Sequence, residues 1–319
     1  MFIKNRLSIL FTILLIMTGC SKTEAPPLRL GTNIWPGYEP FYLAREIQQW
    51  DEQQIRLIEY PSSSEVLRAF RNRTLEAAAL TLDEVILLQE NNIPVTIVLV
   101  LDISNGADVI IARNDLHAIR ELKGKRVGVE SSALGAYIIT RALEINNMSL
   151  DDIKLVPLDV NKHERSFNEG KIDAVVTFEP TRTRLLATGA NEIFNTRQLP
   201  GEIVDVLVIH NDFIKQNSAS VSLIIEHWFK ALEYMQTHPD DAAILISKRM
   251  KISPAEVTAS YEGLTLPDNK VNFELMTGQK PQLYDTMKNL HQVMLNNHLV
   301  TKEITDQNII TTNFLPKIK

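Results

Sequence analysis

Two successive series of short apolar runs, each run followed by an amphipathic stretch, constrain the fold of this 319-residue chain more than any other feature. The first series opens with Leu28-Arg29-Leu30-Gly31-Thr32-Asn33-Ile34 and a helical pattern from Pro40 to Trp50. It continues with a strand-like run from Ile55 to Tyr60, then a helix start at Ser62 with Glu65 at capping-box spacing. The run Ala77 to Leu82, a helix from Asp83 to Asn91 and a strand from Val95 to Leu101 complete it. The second series follows Leu122-Lys123-Gly124, with strands at Arg126 to Val129, Ile153 to Leu158 and Ala174 to Phe178 and helices at Leu134 to Asn146 and His163 to Glu169. Strand–helix alternation places successive strands side by side with helices on the faces, so the fold class is α/β with one mainly parallel sheet per series.

Two runs break the alternation: Ala107 to Arg113 and Val204 to His210. They bracket the second series and are expected to be crossover strands that pair where two lobes join. On that reading lobe 1 is discontinuous, residues 28–108 and 209–319, and lobe 2 is 109–208. Helical patterns at Ala219 to Thr237, Pro239 to Lys248 and Pro254 to Glu262 cover the re-entered lobe.

Lys4 and Arg6 precede an apolar run from Leu7 to Met17 and then Thr18-Gly19-Cys20, the order of charge, apolar run and small residues of an export leader over 1–19. The run is short for a hydrocarbon core of about 30 Å and is followed at once by polar residues. Met17-Thr18-Gly19-Cys20 resembles the bacterial lipobox, which implies acylation of the Cys20 thiol and a membrane anchor; 20–27 then form a tether. Cys20 is the chain's single cysteine, which suits lipidation better than a structural disulfide in an oxidising compartment. Loss of the leader removes two bases and no acids, moving the formal charge from −6 to −8. An acidic chain lacks the basic footprint of nucleic-acid binding.

The opening segment Gly31 to Ala44, with Trp35-Pro36-Gly37-Tyr38-Glu39-Pro40, resembles a known family together with Glu121-Leu122-Lys123-Gly124-Lys125-Arg126-Val127-Gly128-Val129 and Gly170-Lys171-Ile172-Asp173-Ala174. The family has the type II periplasmic binding-protein fold, in the branch that binds nitrate, sulfonates, taurine and thiamine-pyrimidine precursors. The resemblance implies two lobes joined by two crossovers, closing on one small solute and delivering it to an ABC permease with a separate ATPase.

Solutes in open α/β sheets bind beyond the carboxyl ends of the strands, so the strand ends hold the candidate site residues. Trp35 sits in a rigid turn where its indole stacks on a flat or cationic ligand or packs against the first helix, and Tyr38 shares that geometry. Ser62 and Ser63, with Ser64, offer hydroxyls and free N–H groups to a ligand or cap the helix they begin. Thr81 and Asp83 end the third strand, and Glu84 is expected to face solvent. Asn105 ends the fourth strand with Asp102 and Ser104, as turn or contact. Glu130, Ser131 and Ser132 form the leading turn of the second lobe, and Glu179 follows Ala174 to Phe178; each is a ligand contact or a helix cap.

The seven histidines are scattered without metal-ligand spacing, and the phosphate-loop, nucleophile-elbow and dinucleotide motifs are missing from the sequence. No cofactor, no metal and no catalytic constellation is therefore expected, and the chain is read as a monomeric binding protein rather than an enzyme. A ligand-presenting role beside a membrane sensor is the alternative to import. Because Asp83, Asp102, Glu130 and Glu179 crowd the strand ends, a cationic or nitrogen-rich solute is favoured over a sulfonate- or nitrate-type anion.

Overall fold

The computed structural model describes residues 26–48, 50–130, 133–278, 281–304 and 309–317. The expected leader, Cys20, most of the tether, Ser131 and Ser132 lie outside the described residues. Among those described, no helix is long and apolar enough to cross a membrane.

In chain order the elements are β1 Leu28–Thr32, α1 Glu39–Ile47, β2 Ile55–Glu59, α2 Ser63–Arg71, β3 Ala77–Thr81, α3 Leu82–Glu90 and β4 Val95–Ser104. Next come β5 Val109–Ala112, β6 Arg126–Val129, α4 Ala133–Ile145, β7 Lys154–Pro157, α5 His163–Asn168, β8 Ala174–Thr177, α6 Thr181–Ala187 and β9 Asn191–Asn195. The chain finishes with β10 Val204–His210, α7 Asn211–Gln216, α8 Ser218–Thr237, α9 Pro239–Met250, α10 Pro254–Tyr261, β11 Leu264–Thr265, α11 Asn269–Met276 and α12 Gln282–Asn296.

These strands form a six-stranded sheet, order β11-β4-β10-β3-β1-β2, and a five-stranded sheet, order β7-β6-β8-β5-β9. Each sheet keeps the parallel core that strand–helix alternation demands: β1 with β2 and β3 in one, β6 with β7 and β8 in the other. Each then adds antiparallel strands, so both sheets are mixed.

The bracketing runs do not pair with each other. β5 lies antiparallel between β8 and β9 in the second sheet, whereas β10 lies antiparallel between β3 and β4 in the first. The physical reason is burial: β5 and β10 are buried along their whole lengths and need a neighbour on each side, which only the centre of a sheet supplies. The expected end of lobe 2 at 208 is corrected accordingly, since β10 from Val204 onward belongs to the first sheet. The connections β4 to β5 and β9 to β10 run side by side. The Ser104 and Thr196 hydroxyls share a hydrogen bond of 2.7 Å, the Gly106 N–H donates to Thr196 Oγ1 at 2.8 Å, and the Thr196 N–H donates to the Asp108 carbonyl at 3.0 Å. Gly106 has φ +114°, a conformation open mainly to glycine.

Helices cover both sheets. One apolar cluster includes Val85 and Leu88 of α3, Tyr137 and Ile138 of α4 in the other lobe, and Met287 and Leu290 of α12. A second joins β1 to the inner faces of α1 and α8, with Phe41 and Trp228 at 4.6 Å between ring centroids.

Candidate functional site

The carboxyl ends of β1 and β3 and the amino end of the antiparallel β10 meet the end of β8 across a narrow interlobe cavity of about 20 Å³, room for about one water. Lobe 1 contributes Asn33, Trp35, Tyr38, Ser63, Thr81, Glu84 and Asp205; the β4–β5 crossover contributes Asp108; lobe 2 contributes Leu134 and Phe178. A larger groove of about 330 Å³ lies among α8, α9 and α10, but its lining carries no charged side chain and comes from one lobe. The interlobe cavity combines aromatic faces, Trp35 of lobe 1 and Phe178 of lobe 2, with converging polar groups, the usual make-up of a small-molecule site.

Trp35 follows β1 and is held from two sides. Its Nε1–H donates to Asp102 Oδ2 at 3.1 Å, and its ring meets Phe178 of lobe 2 edge-on, with centroids 5.1 Å apart. The turn after Trp35 needs glycine at position 37: a Cβ there would lie 1.9 Å from Asp102 Oδ2 and 2.4 Å from Trp35 Nε1. Tyr38, buried beside it, hydrogen-bonds Asp205, and burial with the nearby carboxylates pushes its phenol well above the usual range.

Carboxylates dominate the floor. Glu84, only 1% exposed, accepts the Thr81 N–H at 3.2 Å through Oε2. Burial pushes Glu84 up to about 8, with Asp83 and Glu130 adding repulsion, and pushes Asp108 up to about 7. Asp102 rises to about 8 and Asp205 rises well above the ordinary carboxylate range, again chiefly through burial. Glu84 Oε1, Asp108 Oδ2, Asp205 Oδ1 and Asn33 Oδ1 are buried and lack a protein hydrogen-bond partner. No Lys, Arg or His belongs to the lining. Such a floor can hold protons, donate hydrogen bonds as neutral carboxyls, or exchange its protons for a bound positive charge.

Trp35, Tyr38, Ser63 and Thr81 thus come together as the strand-end argument expects. Several other candidates do not. Ser62 is the N-cap of α2, its hydroxyl accepting the Glu65 N–H at 3.3 Å, and does not line the cavity. Asp83 and Glu84 exchange roles: Glu84 lines the cavity, while Asp83 is buried outside the lining and is raised to about 6 by burial. The reason is that α3 is covered on nearly every side, leaving no solvent face for Glu84 to take. Asn105 is exposed, its N–H tied to the Gly263 carbonyl at 2.8 Å, because the cavity lies on the Asp108 side of that turn. Glu179 is committed within lobe 2, accepting the Thr183 N–H at 3.1 Å and pairing with Arg182 at 3.3 Å. Glu130 bonds to the other lobe through Ser63 and Ser64.

Asn33, Glu84, Asp108, Asp205, Leu134 and Phe178 were missed as site residues. A signal existed for Asp205, a lone carboxylate inside the otherwise apolar run Val204 to Ile209. No group of His, Cys, Asp and Glu able to hold a metal ion occurs among the described residues.

The profile of the NMT1-like family matches residues 21–249. The chain belongs to that family. A Brucella abortus (strain 2308) protein named as a binding protein is 22% identical over 174 residues, 52% of this NMT1-like chain. The match covers 53% of the relative, so the chain spans about half the length of that protein. An Escherichia coli (strain K12) protein named for binding aliphatic sulfonates is 21% identical over 255 residues, 78% of this chain and 80% of its own. Among solved structures, the alkanesulfonate-binding protein SsuA from Xanthomonas axonopodis pv. citri, bound to MOPS, has a TM-score of 0.77 at 16% identity, covering 90% of this chain and 99% of its own. The two-lobed α/β fold is therefore that of the periplasmic binding proteins. The desulfurization enzyme DSZB shares the fold at a TM-score of 0.64 and 16% identity, so fold alone does not separate capture from catalysis.

Proposed function

We propose that this NMT1-like protein is an extracytoplasmic solute-binding component that closes its lobes on one small organic solute and delivers it to an ABC permease powered by a separate ATPase. The observation that carries this reading is the cavity between the sheets, lined from both lobes by paired aromatic rings and by buried polar atoms without protein partners. Capture is favoured over turnover because the lining contains no histidine or cysteine to pair with its hydroxyls. Two crossovers held side by side supply a hinge.

The proposed ligand is a cationic or nitrogen-rich solute, an amine or a pyrimidine-like ring. Glu84, Asp108 and Asp205 give it carboxylates, and Trp35 with Phe178 gives it aromatic surface. A sulfonate-type anion is the second reading, favoured by the names of the Escherichia coli and Xanthomonas relatives. Burial already favours the protonated, hydrogen-bond-donating form of Glu84 and Asp205 that such a ligand needs, with Asn33 as a further donor. Calorimetric titration with a panel of diamines and aminopyrimidines against taurine and MOPS separates the two. Submicromolar binding of an amine or heterocycle, with a smaller radius of gyration by small-angle scattering, is the expected result. Binding confined to the sulfonates establishes the second reading, and turnover of any bound compound removes the capture reading.

Cys20 is proposed as the lipidated N-terminus that holds the body at the membrane. Mass spectrometry of the protein from native membranes should show acylated Cys20, and Cys20→Ser should release unlipidated protein; a mature chain with a free Cys20 thiol contradicts the anchor.

A further inference from the structure

Glu130 follows β6 in lobe 2, yet its side chain is bonded to lobe 1. Its Oε1 accepts the Ser64 N–H at 3.0 Å, the Ser64 hydroxyl at 2.9 Å and the Ser63 hydroxyl at 3.3 Å. The side chain is buried, 6% exposed. Ser63 and Ser64 are the first residues of α2, nine residues long, and the first N–H groups of a helix have no intrahelical acceptor. The carboxylate therefore sits on the positive end of a helix from the opposite lobe, where an anionic group is stabilised. Ser62 satisfies the neighbouring Glu65 N–H, which leaves the Ser64 N–H and two hydroxyls to converge on one acceptor.

The backbone that aims Glu130 is fixed just as closely. At Gly135 in α4 a Cβ would lie 2.8 Å from the Glu130 carbonyl oxygen and 2.9 Å from Val129 Cγ1, so the helix passes hard against Val129 and Glu130 only because position 135 is glycine. Burial raises Glu130 above its ordinary range, the Ser64 N–H and the Ser64 and Ser63 hydroxyls work against that rise, and Asp159 adds to it. The bonded groups belong to different sheets, so the contact forms when the lobes close and breaks when they part.

We infer that Glu130 is an interlobe latch and a specificity determinant: it fills, with the protein's own carboxylate, the helix-end position that an acidic solute would otherwise occupy. The latch needs no ligand; the selection it imposes rests on the capture reading. The cleft thereby rejects anions at α2 and leaves the Glu84, Asp108 and Asp205 floor for positive charge.

The test compares wild type with Glu130→Gln and Glu130→Ser, each first shown to melt cooperatively. Without ligand, small-angle scattering should give a larger radius of gyration for both variants. In titrations with methanesulfonate, Glu130→Ser, which frees the Ser64 N–H and both hydroxyls, should bind at least tenfold more tightly than wild type. An unchanged radius in both variants overturns the latch. An opened Glu130→Ser protein with unchanged methanesulfonate affinity overturns the selectivity. If wild type binds neither amines nor sulfonates, the capture reading fails, while the scattering comparison still decides the latch.

Discussion

Asp205 of β10 is the direct antiparallel partner of Asp102 of β4, and on its other side it is the partner of Thr81 of β3. A register shift follows immediately between Asp205 and Val206, the kind of irregularity that re-aims a side chain beside a site. Two carboxylates directly opposite in a buried sheet repel, and burial raises both, so the pair retains protons at neutral pH. Replacing Asp205 by Asn removes a carboxyl that the native state must hold protonated and preserves the shape. At neutral pH the unliganded protein should gain about 1–2 kcal/mol of stability in urea melts, because the native state no longer has to hold a proton that the unfolded chain releases. Affinity for the best amine ligand should fall at least tenfold in the same variant, and a destabilised Asp205→Asn would contradict the account.

Stability should fall as pH rises. Glu84, Asp108 and Asp83 are held by burial at about 8, about 7 and about 6 in the native state. Unfolded carboxyls lose their protons near pH 4, so between about pH 4 and 8 these three groups bind more protons in the native state than in the unfolded chain, and raising pH favours unfolding; His163, pushed down to about 4 by burial, opposes them between about pH 4 and 6.5 as one group against three. Asp173, held low by Arg126, acts in the opposite sense only below its ordinary range, outside this window. Thermal melts should show Tm several degrees higher at pH 5.5 than at pH 8, at roughly 2–4 °C per kcal/mol for a domain of this size. A flat or rising profile would contradict the burial of these groups.

Gly37→Ala should disconnect Trp35 from Asp102. The added Cβ cannot share the space of their hydrogen bond. Overpacking of this kind costs about 1–3 kcal/mol. Chemical denaturation should report that loss, and ligand affinity should fall with it because the Trp35 ring leaves its edge contact with Phe178.

The crossover pair should loosen in Thr196→Val. The substitution keeps the volume but removes the hydroxyl that bonds Ser104 and the Gly106 N–H. Loss of two buried hydrogen bonds should cost about 1–3 kcal/mol. Hydrogen exchange should show faster exchange at the Gly106 amide, with little change in β1 or β2; unchanged exchange there would mean that the hydroxyl does not brace the hinge.

Local features were legible without coordinates. Ser62 was placed at a helix start by Glu65 three residues on, and its hydroxyl does accept the Glu65 N–H. Trp35, between Ile34 and Pro36-Gly37 at the end of the first strand, lies where the strand-end argument put it. Glu84 was not legible, because α3 buries Leu82, Val85, Ile86 and Leu88 around the helix and leaves no polar stripe to fix its orientation.

The sequence by itself determined the order of elements, the two-lobed α/β class and several of the turns that line the interlobe cavity, because apolar periodicity and caps act over a few residues. Tertiary structure alone decided which sheet takes β5 and which takes β10, since the two runs are equally apolar and a strand's neighbours are chosen across the whole chain. It also decided what each carboxylate does. Asp205 becomes part of the floor because β10 inserts between β3 and β4, and Glu130 meets α2 from the opposite lobe. A side chain's burial and partners depend on what packs against it from distant sequence, and no local pattern carries that information.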